Sequence, residues 1–93
     1  MPFVYILHCN DNSFYVGHTD NVPAREQAHN KGTAGQYTAQ RRPVRLVYSE
    51  TCDSLASALA REKQLKNWSR QKKEALITGN VDALQQLNKR RAR

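Results

Sequence analysis

The feature that most limits the possible folds is the opening of the chain. There, two short runs of strand-forming residues flank a turn. Residues 3–8 are rich in β-branched and aromatic side chains, which is typical of a strand. Residues 9–13 are turn formers, and residues 14–17 make a second short run of the same kind. We therefore predict that the chain begins with a β-hairpin, and the rest of the fold has to be built on a small antiparallel sheet.

A helix and a third strand are predicted to follow the hairpin. Asp20 or Asn21 can cap the helix, and Pro23 suits its first turn. The helix should end near Gly32, because glycine readily adopts the left-handed conformation found after helix ends. Residues 44–49 alternate apolar and polar side chains, which predicts the third strand.

The remainder of the chain is predicted to be helical. Asp53 or Ser54 caps a long helix, and Ser69 caps a second one that stops at Gly79. Asn80 is predicted to cap a last helix that carries apolar residues at helical spacing, and these are Val81, Leu84 and Leu87.

The order of these elements, β-β-α-β-α-α-α, predicts an α+β fold with a small three-stranded antiparallel sheet flanked by helices. Residues 33–43 look irregular, and the chain contains no repeat, low-complexity tract or linker. A length of 93 residues favours one compact domain. We place that domain at residues 1–88 and a basic tail at residues 89–93.

The charge balance points to a polyanionic partner. Lys and Arg number 15 against 8 Asp and Glu, which gives a formal net charge of +7. An excess of this size favours nucleic acid through the release of counterions, although a soluble basic protein without such a partner would look the same.

Three other classes of protein receive no support. Cys9 and Cys52 lie far apart, whereas a zinc site needs more ligands at closer spacing. The apolar start is too short for a signal peptide and lacks a basic leader, and no run approaches membrane-spanning length. We expect a cytoplasmic protein with reduced thiols and no membrane partner.

Glu62 stands out on the long helix because it shares the apolar stripe with Leu55, Leu59 and Leu65. Burying a carboxylate without a partner is costly, so Glu62 needs a cation. The spacing leaves two possibilities open. One is an ion pair with Arg25 or with an arginine from the loop, and the other is a metal ion.

Polar residues cluster around the first helix. Arg25 and His29 are four residues apart and share a helix face, and His18 and Thr19 lie just before that helix. Each residue alone would pass for a surface residue. Together they suggest chemistry on a phosphate, because Arg can grip a phosphate with two hydrogen bonds and His can relay a proton near neutral pH.

Two tyrosines, Tyr5 and Tyr15, sit in the two strands of the predicted hairpin. They are an even number of residues apart, so without a bulge they can lie on the same side of the sheet. Strand tyrosines usually belong to the core or its rim, and as a lone signal the pair is weak.

In combination, these segments resemble the pattern of the GIY-YIG nucleases, which have two short motifs on adjacent strands, an Arg on the next helix and a Glu on a later one. The matching residues are Val4-Tyr5, Tyr15-Val16-Gly17, Arg25, His29 and Glu62. The similarity continues through residues 37–38, 42–48 and 61–69, where the chain is similar to small stand-alone bacterial (YhbQ-like) members. It covers roughly residues 3–78, nearly the whole predicted domain.

The resemblance implies a role for each residue in hydrolysis of a phosphodiester bond. Tyr5 matches a general base or base partner, with His29 in its proton relay. Tyr15 matches the tyrosine that holds the attacking water or the phosphate. Gly17 matches a glycine whose backbone must approach another group closely. His18 and Thr19 are further candidates for phosphate contact.

The resemblance also implies a metal-dependent reaction. Glu62 matches the single acidic ligand of one divalent ion, Mg²⁺ or Mn²⁺, and Arg25 matches the arginine that stabilises charge on the phosphate. The first motif departs from the family pattern, since Phe3 and Val4 replace its Gly and Ile. Asn67 stands closer to the Glu than the family's later Asn, so its role stays open.

The expected substrate is DNA rather than RNA, with single-stranded, branched or damaged DNA favoured. Tyr37 can stack on unpaired bases, whereas Trp68 is interpreted as a core residue. The predicted nucleic-acid-binding residues are Tyr37, Arg41, Arg42, Arg45, Lys63, Lys66, Arg70, Lys72 and Lys73. A solvated basic face is the alternative interpretation for each cation.

Two other functions remain open. One is a non-catalytic nucleic-acid-binding module on the same fold, and the other is a basic adaptor that docks on an acidic protein. The intact set Tyr5, Tyr15, Arg25, His29 and Glu62 argues against the binding module. No protein partner can be inferred from the sequence.

Overall fold

The computed structural model describes residues 1–79 of the chain as an antiparallel sheet between two groups of helices. The strands are β1 (Phe3–His8), β2 (Phe14–Thr19) and β3 (Arg45–Thr51). The helices are α1 (Val22–Lys31), α2 (Gln36–Ala39), α3 (Leu55–Lys66) and α4 (Arg70–Thr78). The predicted α+β fold with three antiparallel strands and flanking helices is confirmed.

Strand β1 lies in the centre of the sheet, in the order β2-β1-β3. Tyr5 is opposite Gly17 on β2 and opposite Ser49 on β3, and Val4 is opposite His18. Because side chains alternate along a strand, Tyr5 and Gly17 face one side of the sheet, and Val4 and His18 face the other.

Each face of the sheet carries its own buried cluster. One face packs against α3 and α4, and its buried residues are Val4, Ile6, Val16, Cys52, Ala58 and Leu65. The opposite face, towards α1 and α2, contains Tyr5, Leu7, Cys9 and Val44, with Tyr15 and Leu46 beside them. Strands buried on both faces explain why β1 reads as an almost continuous apolar run.

The predicted caps account for the helix boundaries. Asn21 accepts a hydrogen bond from the amide of Ala24 at the start of α1, and Gly32 ends that helix in the left-handed conformation. Ser54 caps α3 and Ser69 caps α4 through their side-chain oxygens. Local sequence chemistry therefore fixes where these helices begin and end.

Three details differ from the prediction. The segment expected to be irregular contains the four-residue helix α2, which is too short to show helical periodicity. Leu55 and Leu59 were predicted on the buried stripe of α3, but they are 58% and 46% exposed. The helix meets the sheet through the other two apolar positions of that stripe, Ala58 and Leu65, which are both fully buried.

Other predictions concern residues 80–93, which lie outside the described residues; these are the last helix, the end of the domain at residue 88 and the basic tail. Cys9 and Cys52 are buried, and neither forms a disulfide. Within residues 1–79, no helix has both the length and the apolar character needed to span a membrane.

Candidate active site

Tyr5 lies across Gly17, its partner on the edge strand β2. A Cβ atom placed on Gly17 would lie 2.5 Å from the hydroxyl oxygen of Tyr5 and 2.6 Å from Cζ. These distances are well below van der Waals contact, so only glycine leaves room for the phenol. Because Gly17 has no side chain, the Tyr5 hydroxyl can lie directly over β2.

Replacing Gly17 with Ala should therefore displace the Tyr5 ring. We expect a loss of about 1–3 kcal/mol in the free energy of unfolding, as is usual when a methyl group is forced into a packed region. Urea unfolding measures this loss. In a Tyr5→Ala background the same substitution should cost much less, because the ring that it strikes is gone. An equal cost in both backgrounds would contradict the proposed clash.

The Tyr5 hydroxyl begins a chain of hydrogen bonds through the buried face. Its oxygen lies 2.8 Å from Nε2 of His29 on α1. Nδ1 of His29 lies 2.6 Å from Oγ1 of Thr38 on α2. All three residues are almost fully buried. Three separate elements, β1, α1 and α2, thus hold the phenol in one position.

The direction of these bonds follows from the groups involved. A phenol is a stronger donor than a neutral imidazole, and a threonine hydroxyl oxygen is a good acceptor. We therefore assign the Tyr5 hydroxyl as donor to Nε2, and Nδ1–H of His29 as donor to Thr38. In this arrangement His29 presents a lone pair to Tyr5.

Burial governs the protonation of this pair. It raises the pKa of Tyr5 above its ordinary value near 10, Tyr15 raises it further, and the charge of Arg25 opposes the rise. Burial also lowers the pKa of His29, and the positive charge of Arg25 adds to that effect. At neutral pH both groups are uncharged: the Tyr5 hydroxyl keeps its proton, and Nε2 of His29 is unprotonated and accepts the hydrogen bond from it.

Thr38 had been assigned no role from its sequence position, although a partner for the second nitrogen of a buried His is expected on general grounds. Replacing Thr38 with Val keeps the shape and removes the oxygen, which leaves Nδ1–H of His29 without an acceptor. The free energy of unfolding should fall by about 1–3 kcal/mol, as measured by chemical denaturation. Thr38→Ser should retain most of the stability. Equal stability of the Val variant and the wild type would contradict the assigned bond.

Tyr15 completes the aromatic lining of this face. Its ring centre lies 5.1 Å from that of His29 and 6.4 Å from that of Tyr5. The ring centre of Tyr37 on α2 lies 5.9 Å from that of Tyr15. The structure thus brings Tyr5, Tyr15 and His29 together, on the same side of the sheet.

Glu62 projects from α3 with only 16% of its side chain exposed. Its partners are not the arginines considered from the sequence. Nδ1–H of His18 donates to Oε1 at 2.6 Å, and Nζ of Lys66 lies 2.9 Å from Oε2. Burial alone would raise the pKa of Glu62, but the hydrogen bonds from Lys66 and His18 outweigh it and hold the pKa below its ordinary value. The carboxylate is therefore ionised at neutral pH.

Arg25 is exposed on α1, and among residues 1–79 its guanidinium has no hydrogen-bond or ion-pair partner. Its charge nevertheless acts on the pKa values of both Tyr5 and His29. A surface cleft of about 420 Å³ lies beside it, and its lining residues are Thr19, Asp20, Asn21, Ala24, Arg25 and Ala28. An unpaired cation beside a cleft is well placed to receive an anion.

Two further candidates have structural contacts instead. Thr19 is buried, and its hydroxyl oxygen accepts a hydrogen bond from the amide of Asn21 at 3.2 Å, which shapes the turn into α1. The phosphate contact by Thr19 stays a prediction. Asn67 donates from its side chain to the carbonyl of Lys63 at the end of α3.

The charges of Arg25 and Glu62 both act on the pKa of Tyr5, so the unpaired arginine and the ionised glutamate are electrostatically coupled to the buried tyrosine–histidine pair. The model of the GIY-YIG catalytic domain matches residues 1–75. The chain belongs to the GIY-YIG family. This is a family of nucleases, so nucleic acid is the substrate that membership implies.

Relatives of this GIY-YIG chain are small proteins of similar length. A UPF0213 protein of Staphylococcus aureus is 48% identical over 75 residues, which cover 81% of this chain and 92% of the relative. A UPF0213 protein of Staphylococcus haemolyticus is 49% identical over the same coverage. The solution NMR structure of a UPF0213 protein from Bacillus halodurans is similar, with a TM-score of 0.54, 40% identity and 84% coverage of both chains. The predicted resemblance to small stand-alone bacterial members is confirmed.

The predicted nucleic-acid-binding residues divide between the two faces of this GIY-YIG domain. Tyr37, Arg41 and Arg42 lie in or next to α2, whereas Lys63, Lys66, Arg70, Lys72 and Lys73 belong to α3 and α4 on the opposite face. Arg45 is exposed on β3. The structure does not bring all nine residues to one surface.

One member of that set is buried. Lys72 is only 5% exposed, and its ammonium group lies 4.3 Å from the centre of the Trp68 ring. Lys72 therefore packs beside Trp68, and its contact with a phosphate backbone stays a prediction. Trp68 packs against the core, as its sequence position suggested.

Several other cations of the set are held by the protein. Arg42 donates from Nε to the carbonyl of Ala39 at 2.9 Å. Arg70 donates to the carbonyl of Asn12 at 2.6 Å and lies over the ring of Phe14. Arg45 and Lys63 are exposed, and within the described part of the chain neither side chain has a polar partner.

Proposed function

We propose that this GIY-YIG protein is a metal-dependent endonuclease that hydrolyses phosphodiester bonds in DNA, with single-stranded, branched or damaged DNA favoured over intact duplex. The observation that carries the proposal is the buried chain from Tyr5 through His29 to Thr38, beside the unpaired Arg25. A phenol with its own proton acceptor is equipped to deprotonate a water, and a free guanidinium is equipped to bind a phosphate.

Glu62 fits the role of ligand to one divalent ion, Mg²⁺ or Mn²⁺. Within residues 1–79, no group of three or more His, Cys, Asp or Glu side chains is arranged to hold a metal. A single carboxylate nevertheless suffices for Mg²⁺, which keeps several waters and is completed by substrate phosphate. Glu62 is ionised, and its partner Lys66 is a half-exposed surface lysine that can move away. When bound there, the ion would stabilise negative charge on the phosphate and the leaving oxygen.

Tyr5 and His29 act as the base in this mechanism. As the water oxygen attacks phosphorus, its proton passes to the Tyr5 oxygen while the phenolic proton passes to Nε2 of His29. This transfer avoids a free phenolate, which the raised pKa of Tyr5 disfavours. Thr38 accepts from Nδ1–H and keeps the lone pair of Nε2 directed at Tyr5.

Arg25 stabilises the charge that grows on the phosphate oxygens in the transition state. The bond from phosphorus to the leaving sugar oxygen then breaks, and that oxygen takes a proton from solvent. His29 returns its proton to water after the reaction. Tyr15, in contact with both Tyr5 and His29, keeps the pocket aromatic and orients the water or phosphate.

The exposed cations predict strong dependence of DNA affinity on salt. About six phosphate contacts would give a slope of roughly −4 to −5 in a plot of log affinity against log salt concentration. Fluorescence anisotropy with a labelled strand, in the presence of EDTA, measures this slope. A slope near zero would show that the positive surface does not bind the DNA backbone.

The direct test is cleavage of end-labelled single-stranded, duplex and branched DNA by the purified wild type. We expect cutting with Mg²⁺ or Mn²⁺ and none with EDTA, and the activity should follow the protein peak through gel filtration. Folded wild type that binds DNA and cuts none of these substrates would favour the alternative, a non-catalytic nucleic-acid-binding module.

We place the protein in the cytoplasm and assign it no protein partner. Both cysteines are buried free thiols, which suits a reducing compartment. Nucleic acid, and DNA before RNA, is the partner that the proposal requires.

A further inference from the structure

A second feature, which shares Tyr15 with the catalytic group, is a row of three planar side chains at the α2 end of the sheet. The Tyr37 ring lies 5.9 Å from that of Tyr15, at an angle of 31°. The guanidinium carbon of Arg41 lies 3.8 Å from the centre of the same Tyr37 ring. We refer to Tyr15, Tyr37 and Arg41 together as the stack.

The Arg41 guanidinium is fixed in its orientation by two hydrogen bonds. Nε donates to Oδ2 of Asp11 at 2.9 Å, and Nη1 donates to the carbonyl of Tyr37 at 2.9 Å. Asp11 is itself held by the amide and hydroxyl of Ser13. These bonds hold the plane of the guanidinium against the tyrosine ring.

These contacts make Arg41 a poor phosphate ligand, unlike Arg25. Its charge is already paired with Asp11, and two of its nitrogens are already engaged. The face of the guanidinium that points away from Tyr37 is still available. The Arg41 side chain is 30% exposed, and among residues 1–79 only Tyr37 stacks against it. Arginine planes of this kind are surfaces on which unpaired bases stack in nucleic-acid complexes.

Tyr37 makes a contact with Arg41 that the sequence did not predict. Its ring is 40% exposed, and the Arg41 guanidinium lies over it, while the Tyr15 ring lies beside it at an angle of 31°. A base cannot lie flat on the face that Arg41 occupies without displacing that arginine. Tyr37 instead supports Arg41 and connects it to Tyr15 in the catalytic group.

We propose that the outer face of the Arg41 guanidinium is the stacking site for one unpaired base of the DNA strand that is cut. The proposal rests on the proposed function, because it takes DNA as the substrate. Within a duplex both faces of each base are already stacked, so only an unpaired or extruded base can use the site. The stack thus makes the enzyme selective for unpaired DNA without requiring a particular base, since every base has a flat face.

The test measures binding in EDTA, so that it does not depend on catalysis. The probes are a labelled oligothymidine and an oligomer of equal length in which abasic sites replace all bases. The wild type should bind oligothymidine roughly 5- to 100-fold more tightly than the abasic strand, as expected for one stacked base. Arg41→Lys keeps the charge and removes the plane, so it should bind both strands as weakly as the wild type binds the abasic one. Arg61→Lys is the matched control, because Arg61 is also paired with a carboxylate, Glu50, and lies 5.2 Å from the centre of an aromatic ring, Trp68, on the opposite face of the sheet. It should behave as the wild type.

Three results would overturn the proposal. The first is equal binding of both strands by the wild type, and the second is an unchanged preference of Arg41→Lys for oligothymidine over the abasic strand. The third is an equal loss of affinity for both strands in Arg41→Lys, which would indicate an effect of charge only. Thermal unfolding of each variant excludes general damage. If Arg41→Lys does not fold, Tyr37→Leu removes the supporting ring and should abolish the same preference. Lack of metal-dependent cleavage together with an intact base preference would reject the nuclease and retain the stacking site.

Discussion

Glu62→Gln is expected to lower the rate of DNA cleavage by at least ~10²-fold, because it removes the carboxylate charge that would hold the divalent ion. Gln has nearly the same shape, and its amide oxygen can still accept a hydrogen bond from His18 or Lys66. The fold should therefore survive while metal affinity is lost. Single-turnover cleavage measures the rate, and Mn²⁺ binding without DNA, followed by electron paramagnetic resonance, measures the metal.

Glu74→Gln is the matched control for this substitution. Glu74 lies on α4 and only approaches Arg70, at 3.6 Å, so the same change of charge is made far from the catalytic group. It should leave cleavage and Mn²⁺ binding unchanged. Cleavage by Glu62→Gln at the wild-type rate would remove Glu62 from the mechanism, and an equal loss in both variants would indicate a general effect of charge.

The sequence predicted the three strands and the longer helices of residues 1–79 because their signals are local. Turn residues separate β1 from β2, and Asn21, Ser54 and Ser69 each cap a helix through their own side chains. The helix α2 was missed because four residues show no periodicity. Leu55 and Leu59 were misplaced because periodicity defines a helix face but not how much of that face another element covers.

The site was less accessible from the sequence because its contacts join distant segments. The sequence predicted that Glu62 has a partner but not which residue it is. His18 lies 44 positions away in the chain, and it reaches Glu62 only because of the strand register and the packing of α3. The hydroxyl of Thr38 faces His29 only because α2 turns back against α1. The family resemblance supplied roles for Tyr5 and Glu62, whereas the contacts that support these residues are visible only in the folded structure.

Tyr5→Phe is expected to lower the cleavage rate by about 10²- to 10⁴-fold, the usual contribution of general acid–base catalysis. The ring and its packing over Gly17 remain, so the free energy of unfolding should fall by only about 1 kcal/mol for the lost hydrogen bond to His29. Single-turnover kinetics and chemical denaturation separate the two effects. Binding of DNA in EDTA should not change.

Tyr48→Phe provides the matched control, because Tyr48 is also hydrogen-bonded, with its hydroxyl on Glu50, and burial raises its pKa to about 12. It lies on the opposite face of the sheet, so removing its hydroxyl should leave cleavage intact. A rate for Tyr5→Phe equal to that of Tyr48→Phe would exclude Tyr5 as the base.

The pH dependence of the cleavage rate tests the role of His29 in the same proton relay. Protonation of His29 removes the acceptor at Nε2, so the wild-type rate should fall as the pH falls through the pKa of His29. Burial and the charge of Arg25 lower that pKa from its ordinary value of 6.5, so the loss should occur below pH 6.5. The residual activity of Tyr5→Phe should lack this decline, because without the phenol no proton passes to His29. A decline that persists in Tyr5→Phe would mean that His29 acts on the water or the DNA without Tyr5.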